Sequence, residues 1–593
     1  MQKKGVNTID DCIKNFNENK GHPLRIILGF YKGEGWTMVK STLCLILMQM
    51  PIWVIPIITS NVINIATNPQ DHTLSELLIN ASIAAVVVLQ NALSTYGVSK
   101  VYDKLVRKIE YMLRSSIIQK LQQLSMSYHK NTNSGKLQSK IMRDCENIEL
   151  LLADGYRNLL MIFLSITIAI TVTATKSPIV ILFFVAVVPM EILLLRLLRG
   201  NIRRRNNKFR QEIEVTQSGV SEMIELIPVT RAHGLQKREV NKMNSRLDSV
   251  MTAGYRLDKT NSLFGASTWV LSEISRLSCL FFTGYLAYKG KISVGEVVLY
   301  QTYFSQIVNN ISSLLNLYPR LTKGVESIHS ISEVFYEKRV ETDNAIIPLE
   351  NMQGKVEFCD VCYRYPDSDK WVLENFSLTV QAGESIAFVG ASGAGKTTLL
   401  DLLIGFDRPQ DGQILIDRVN MINLDMTKYR NQIAVVPQNT ILFAGTIRDN
   451  ITYGLDNASD EEVLNVLKSV GLDDLLETLP EGIYTHLGEH GGKLSGGQRQ
   501  RISIARALLR KPKMIIFDEA TSALDSASEK KVQAAVDAMM QQCTTFMVAH
   551  RLSTIRNVDR IVVLEHGQVI EEGSYDELMA KQGAFYNLKK LQE

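Results

Sequence analysis

Cysteine is scarce, and its few copies do not pair. The 593-residue chain has seven, Cys12, Cys44, Cys145, Cys279, Cys359, Cys362 and Cys543, an odd number at scattered spacings that excludes a disulfide framework. Cys359 and Cys362 form a C-x-x-C, but no second pair follows to complete a zinc site, and the alternating stretch around them reads as a strand. A strong charge of one sign is also missing. With a net charge of +4 and no basic patch interleaved with aromatics, the chain gives nucleic acid nothing to bind. The first 21 residues are polar and lack the apolar centre of a signal peptide, so insertion into a membrane must be driven by a later helix.

What is present falls into two unlike halves. Up to about residue 330 the chain carries long apolar runs; beyond it come the mixed composition and short Gly- or Pro-marked strands of a soluble α/β domain. The apolar runs predict six membrane-crossing helices near 38–66, 76–98, 152–175, 178–198, 263–288 and 294–317. Pro51 and Pro56 lie within the first, where bundle neighbours tolerate a kink. Behind the second, a proline-free helical pattern continues to about Leu124. About fifty residues at ~1.5 Å each reach ~75 Å, more than twice the hydrocarbon thickness, so this helix is expected to project far into the cytoplasm. Residues 199–256 offer a second extension of that kind.

Before the first span, residues 22–31 read either as a helix lying on the cytoplasmic interface or as a short soluble helix. Loop charges set the orientation. Arg196, Arg199, Arg203, Arg204, Arg205, Lys208 and Arg210 follow the fourth span, whereas loop 67–73 has neither Lys nor Arg, which places both termini in the cytoplasm. Gln49, Gln90, Asn91, Glu191, Glu273, Arg276, Gln301, Gln306, Asn309 and Asn310 fall inside the spans. They either line a substrate path or make hydrogen bonds between helices, and Glu273 and Arg276, one turn apart, can satisfy each other.

In the second half, Gly390, Ala391, Ser392, Gly393, Ala394, Gly395, Lys396 and Thr397 have the G-x-x-x-x-G-K-[ST] spacing of a phosphate-binding loop. An apolar strand precedes it and a helix follows, as that loop requires. Its backbone N–H groups would face the phosphates of a nucleoside triphosphate, Lys396 would reach the terminal phosphates, and Thr397 would hold Mg²⁺. Residues 514–518 form a buried strand ending in Asp518, the second metal-holding acid, and Glu519 beside it is free to polarise a water. Residues 433–436 are another strand, followed by Pro437 and Gln438. Tyr365, an aromatic ahead of the loop, either stacks on an adenine or belongs to the core. Ser495, Gly496, Gly497 and Gln498 open a helix with two glycines and a hydroxyl, a second phosphate-reading surface. One domain cannot use both surfaces on the same nucleotide, so the second is expected to serve nucleotide bound to another copy.

Together these residues resemble an ATP-binding cassette exporter of the half-transporter type, a membrane domain fused ahead of an ATPase domain, over nearly the whole chain. The resemblance implies that 390–397 is Walker A, with Thr398 also at the nucleotide, and that 514–518 is Walker B. It further implies that Glu519 is the catalytic glutamate, Tyr365 the adenine-stacking aromatic, Gln438 the Q-loop residue and a metal ligand, 494–498 the signature, Asp525 part of the D-loop and His550 the switch histidine. Residues 485–491 resemble the loop with which exporters touch their transmembrane helices, 134–141 the first coupling region, and 217–232 lie where the second is expected. His490, Gln138 and Lys140 depart from the usual pattern without touching a catalytic position.

The expected fold is thus an all-α transmembrane domain of six helices with long cytoplasmic extensions, followed by an α/β P-loop NTPase. Residues 1–37 form the cytoplasmic N-terminus, 38–335 the transmembrane domain, 336–352 a linker and 353–593 the nucleotide-binding domain. The expected function is ATP-driven, Mg²⁺-dependent export of a drug, lipid or peptide across a bacterial cytoplasmic membrane by a homodimer or a heterodimer. The alternative is a nucleotide-gated channel or a sensor coupled to a signalling partner.

Overall fold

The structure, a computed structural model, describes residues 8–341, 347, 349, 351–365, 368–455, 457–488, 491–492, 494–518, 526–549 and 555–591. It divides into two units, Met1–Gln122 with Ser134–Glu337, and Gln123–Asn133 with Lys338–Glu593.

The first unit is helical. It begins with α1 (Ile9–Glu18) and α2 (Pro23–Phe30). Thr8 caps α1: its hydroxyl accepts from the Asp11 N–H at 3.2 Å while the Asp11 carboxylate accepts from the Thr8 N–H at 3.1 Å. Cys12 and Phe16 of α1 and Ile26 and Phe30 of α2 are buried in one core with Tyr102, Leu113 and Phe335. The Phe16 ring lies 4.6 Å from Phe335 and 6.1 Å from Phe30. The stretch before the first apolar run is therefore two docked helices. α2 turns Ile26 and Phe30 inward and leaves Leu24 and Leu28 exposed.

The first apolar run is α3 (Gly35–Thr67), with Pro51 and Pro56 inside it. The second is α4 (Leu74–Val98), which passes through a π turn at Ser99–Asp103 into α5 (Lys104–Gln123). The expected long extension is thus present, with one widened turn in it. That turn inserts a residue and carries Tyr102, fully buried, whose hydroxyl donates to the Leu152 carbonyl at 2.5 Å. After α6 (Met126–Asn131) and α7 (Ser134–Ser139), a second π turn at Lys140–Asp144 leads into α8 (Cys145–Lys176). It buries Lys140, whose ammonium donates to the Ser330 carbonyl and, at 2.9 Å each, to the Ser330 hydroxyl and the Glu333 carboxylate.

Then come α9 (Pro178–Glu225), α10 (Ile227–Ala232), α11 (Gln236–Tyr288) and α12 (Val294–Phe335). α12 packs along α8 and α3, α3 along α4, and α11 along α9. Among the described residues, three stretches have the length and apolar composition to cross a bilayer: Gly35–Thr67, Leu74–Gln123 and Ser134–Lys176, with a shorter apolar helix at Pro178–Met190. α11 and α12 fall below that composition, and the polar groups they carry bond one another and their neighbours. Arg276 donates to Glu273 at 2.6 Å and to Asn309 at 2.9 Å, and Gln306 donates to the Ile52 carbonyl at 2.8 Å. Asn91 likewise donates to the Met48 carbonyl at 2.5 Å. For these residues the helix-to-helix alternative is the observed one.

The second unit is α/β. Its strands are β1 (Val356–Tyr363), β2 (Leu373–Val380), β3 (Ser385–Gly390), β4 (Asp411–Ile416), β5 (Val419–Asn420), β6 (Ile433–Val436), β7 (Gly445–Thr446), β8 (His486–Leu487), β9 (Met514–Asp518), β10 (Thr544–Val548), β11 (Arg560–Glu565) and β12 (Gln568–Gly573). They form an antiparallel sheet in the order β2-β1-β4-β5, a sheet in the order β12-β11-β3-β10-β9-β6, and the pair β7-β8. β3, β10, β9, β6 and β11 run parallel, and their Val, Ile and Phe residues, apart from a half-buried Val435, are buried on both faces, which is why they read as continuous apolar runs. Cys359 and Cys362 stand on β1 as free thiols.

Of the expected linker, 336–352, Tyr336 and Glu337 belong to the first unit, and the described part from Lys338 packs on the second: Val340 bridges Leu124, Ile347 bridges Leu424, and the Met352 N–H donates to Gln432 at 3.1 Å. The expected first coupling region, 134–141, lies in the first unit, directly after Gln123–Asn133, the segment carrying α6 that folds with the second.

Candidate functional site

The site follows from strand register. Val548 of β10 pairs with Phe388 of β3 on one side and Asp518 of β9 on the other, and Val436 of β6 pairs with Phe517. The carboxyl ends of four parallel strands therefore lie along one sheet edge, where open α/β sheets bind ligands. From that edge emerge the loop after β3, Asp518, and the turn after β6 that carries Gln438. It also holds Ala549, whose N–H bonds the Phe388 carbonyl at 3.5 Å.

The loop runs from Gly390 into α13 (Lys396–Ile404). Gly390 has φ 153°, and a Cβ there would stand 2.2 Å from the Leu564 carbonyl oxygen, so β11 leaves no room for a side chain. Gly395 caps the helix with φ 100°, a left-handed conformation that lets the chain turn from the loop into α13. Ala391, Ser392, Gly393 and Thr397 are exposed, whereas Ala394 is buried. Lys396 is buried and arches back over the loop, its ammonium donating to the carbonyls of Gly390 at 2.8 Å and Ala391 at 2.9 Å. That arch holds a cation over a glycine-marked turn at a helix N-terminus, the kind of cradle that takes a polyphosphate.

Thr398 is buried, and its hydroxyl lies 3.0 Å from that of Tyr365. The Tyr365 ring stands edge-on to Tyr363 at 5.3 Å and stays 38% exposed, tied to the loop helix at its hydroxyl with the ring accessible. Thr397, Asp518 and Gln438 stand on or just after these strand ends, and their side chains carry a hydroxyl, a carboxylate and an amide. An all-oxygen donor set of this kind suits a hard divalent cation.

Between α13 and the next surface lie α14 (Met426–Asn431), α15 (Ile447–Ile451), α16 (Asp460–Ser469) and α17 (Asp473–Thr478). α18 (Gly496–Leu509) then opens with a capping box that sequence reading overlooked. The Gln498 N–H donates to the Ser495 hydroxyl at 3.2 Å, and the Ser495 N–H donates to the Gln498 side-chain oxygen at 2.8 Å. The signal was legible as S-x-x-Q. Ser495 and Gly496 are exposed, Gly497 and Gln498 partly so. Arg506 fastens α18 to α15, donating to the Asn450 carbonyl at 2.7 Å, and burial holds its guanidinium below its ordinary value. Glu519, Asp525, His550 and His490 lie outside the described residues.

A charged cluster behind the loop gave no sequence signal. Lys130 of α6 makes an ion pair with Asp401 of α13 at 2.6 Å, 271 residues further along the chain. Arg339 stacks over Tyr128 of α6 at 5.6 Å and accepts, at its carbonyl, the Ser125 N–H at 2.8 Å. Burial and the neighbouring Asp401 push the Asp407 carboxyl up, against the pull of Lys130 and a hydrogen bond from Tyr363. Lys130 loses by burial but gains more from Asp401, and ends above its ordinary value.

Comparison with known proteins agrees with this geometry. Residues 38–311 match the ABC transporter transmembrane region, and residues 373–522 match the ABC transporter family. YgaD of Bacillus subtilis (strain 168), named as a "multidrug export ATP-binding/permease protein", is 33% identical over 486 residues, 82% of this chain and 84% of the relative. A protein of the same description from Staphylococcus aureus (strain NCTC 8325 / PS 47) is also 33% identical over 82% of this chain and 84% of its own length. The solved structure of a bacterial Atm1-family ABC exporter with ATP bound superposes with a TM-score of 0.79 at 26% identity, covering 94% of this chain and 98% of that one. The chain belongs to the ATP-binding cassette exporters, membrane-embedded transport ATPases in which a transmembrane domain and an ATP-binding domain are fused in one polypeptide.

Proposed function

We propose that two copies of this chain form an exporter that moves a hydrophobic or amphipathic compound, a drug, lipid or peptide, out of the cytoplasm or the inner leaflet, with both termini in the cytoplasm. The observation that carries the reading is the convergence of the Lys396 loop, Asp518 and Gln438 on one sheet edge, while the glycine-rich N-terminus of α18 is left exposed. An exposed phosphate-reading surface outside the first site is what a composite site between two copies needs. The backbone of 390–397 and Lys396 bind the phosphates, Tyr365 meets the adenine, and Thr397, Gln438 and Asp518 hold Mg²⁺, which when bound neutralises charge on the phosphates. Glu519 orients or deprotonates the attacking water, and His550 contacts the terminal phosphate. Ser495, Gly496 and Gly497 close on the nucleotide of the other copy, beside Asp525.

ATP can drive alternating access only by binding the closed pair better than the open one. The membrane spans are those read from the sequence, and α6 and α10 sit where such a cycle takes its mechanical input. The test is ATP hydrolysis by the purified chain in lipid nanodiscs, beside Glu519→Gln, while lipids, drugs and peptides are screened for stimulation. Activity that disappears in Glu519→Gln is expected. Folded, ATP-binding protein with no activity would overturn self-sufficiency and point to a second, different subunit.

A further inference from the structure

A second place in the molecule collects charge of one sign. α9 and α11 pack side by side through the first unit, with the Phe209 ring against Gly254, where a Cβ would meet it at 3.1 Å. Beside that contact the two helices frame a cavity of about 910 Å³. α9 supplies Arg204, Arg205 and Lys208, and α11 supplies Arg256 and Lys259, with Leu263 at its end. On each helix these positions recur at the three- and four-residue intervals of a single face. Its remaining lining residues are Asn207, Gln211 and Thr260, neutral hydrogen-bonding groups, and no carboxylate lines it among the described residues. Glu212 and Asp248 line only the adjoining cavity of about 300 Å³, which shares Arg205, Lys208 and Arg256. Among the described residues none of the five cations is ion-paired.

Five cations facing one cavity repel each other unless an anion joins them, and an arginine fork matches phosphate oxygens two at a time. The height of the cavity decides which anion. Lys259 lies four residues before the expected fifth span, about 6 Å along a helix, and Arg204 six residues past the fourth, about 9 Å; Arg205 and Arg256 lie about 10 Å from the spans and Lys208 about 15 Å. The headgroup layer is roughly 5–8 Å thick on each side of the hydrocarbon, so Lys259 is level with it and the other four start beneath it, with long side chains that reach back toward it. We infer that the α9–α11 cavity binds the phosphate headgroup of an anionic phospholipid from the cytoplasmic leaflet, with the acyl chains running past Leu263. This rests on the placement of the spans under the proposed function, but not on the transport cycle.

The test is lipid retention by the full-length protein in neutral detergent, read by native mass spectrometry with phosphatidylglycerol, phosphatidylcholine or inorganic pyrophosphate added. The comparison protein carries Arg204→Gln, Arg205→Gln, Lys208→Gln, Arg256→Gln and Lys259→Gln. The native chain is expected to hold phosphatidylglycerol at least about ten-fold more tightly than phosphatidylcholine, and the variant to lose that preference. The variant's ATP hydrolysis in phosphatidylcholine nanodiscs is expected to match that of the native chain, so loss of lipid selectivity stays separate from loss of transport activity.

Should the five-fold variant not fold, Arg204→Gln with Lys259→Gln and a salt series on native protein replace it. The preference should shrink between ~0.1 M salt, where charges act over about 10 Å, and ~1 M, where they act over about 3 Å. Equal retention of both lipids by the native chain would overturn the inference. So would pyrophosphate binding without lipid selectivity, which would make this a site for soluble anions. A change in oligomeric state alone would overturn it as well, and would mark the cleft as a contact between copies.

Discussion

Lys130 shows how one side chain can matter to a site it does not enter. Its ammonium reaches Asp401 on the helix that starts at Lys396, and Asp407 lies near enough to feel both. Lys130→Met would leave Asp401, whose side chain is 12% exposed, beside a half-buried Asp407 with no cation between them. Because the Lys130 side chain is 45% exposed, the cost is discounted from that of a fully buried pair to about 1–2 kcal/mol, read as a lower Tm at neutral pH. The pH dependence follows from the raised lysine. A folded value above the ordinary 10.5 gives stability that is complete below that value and lost as pH rises through the folded one. The Tm gap between native and Lys130→Met protein should thus hold from neutral pH to about 9.5 and close above about 10.5. Asp407, also raised, loses stability with rising pH in the same sense but in the acid range, where its carboxyl ionises, so it cannot produce an alkaline loss.

At the scale of the element, α18 has to be a helix and a phosphate reader with the same first turn. Ser495 is both its N-cap and, on the proposed reading, a contact to the nucleotide of another copy. The roles separate by substitution. Ser495→Ala removes the cap and should cost about 1 kcal/mol of stability together with ATP hydrolysis. Ser495→Asp is an equally good cap, so the Tm should recover, but it sets a carboxylate where phosphate is expected, so hydrolysis should not. Recovery of both would assign Ser495 to structure alone.

Elements of this kind were readable in sequence because their cause is local: the S-x-x-Q of the cap, the glycine spacing of the loop, the proline-free run through α4 and α5. What escaped has a distant cause. α1 looked like a polar tail because Cys12 and Phe16 are inward only once Phe335 is in place. The π turns at Ser99–Asp103 and Lys140–Asp144 come from burying Tyr102 and Lys140 against helices far along the chain. Lys130 looked like any surface lysine until Asp401 arrived. The apolar periodicity announced six long helices, but the polar groups of α11 and α12 became intelligible only through partners such as Asn309 and the Ile52 carbonyl.

At the scale of the molecule, the two phosphate-reading surfaces predict a specific pattern in mixed assemblies. A chain with Lys396→Ala lacks the loop and one with Ser495→Ala lacks the second surface, and neither alone should hydrolyse ATP. Mixed, they should regain up to half of native activity in the hetero-pairs, since one composite site takes its loop from one chain and its cap from the other. Putting both substitutions in one chain and pairing it with native chain should leave no intact site. The reverse pattern, activity only in the mixture that contains native chain, measured with differently tagged and doubly purified pairs, would show that each chain hydrolyses alone.

The division of the chain into units also bears on how the protein is made. Residues Gln123–Asn133 fold with Lys338–Glu593, so α6 leaves the ribosome long before the strands and helix it packs on. At roughly 5–20 residues per second, tens of seconds separate the synthesis of Lys130 from that of Asp401. During that interval the helical hairpin between the second and third apolar runs has an unfinished tip, held in waiting at the membrane. A ribosome stalled before Asp401 would release a membrane domain whose tip is open to proteases, so a truncated product would be marked for removal by its own unpaired segment.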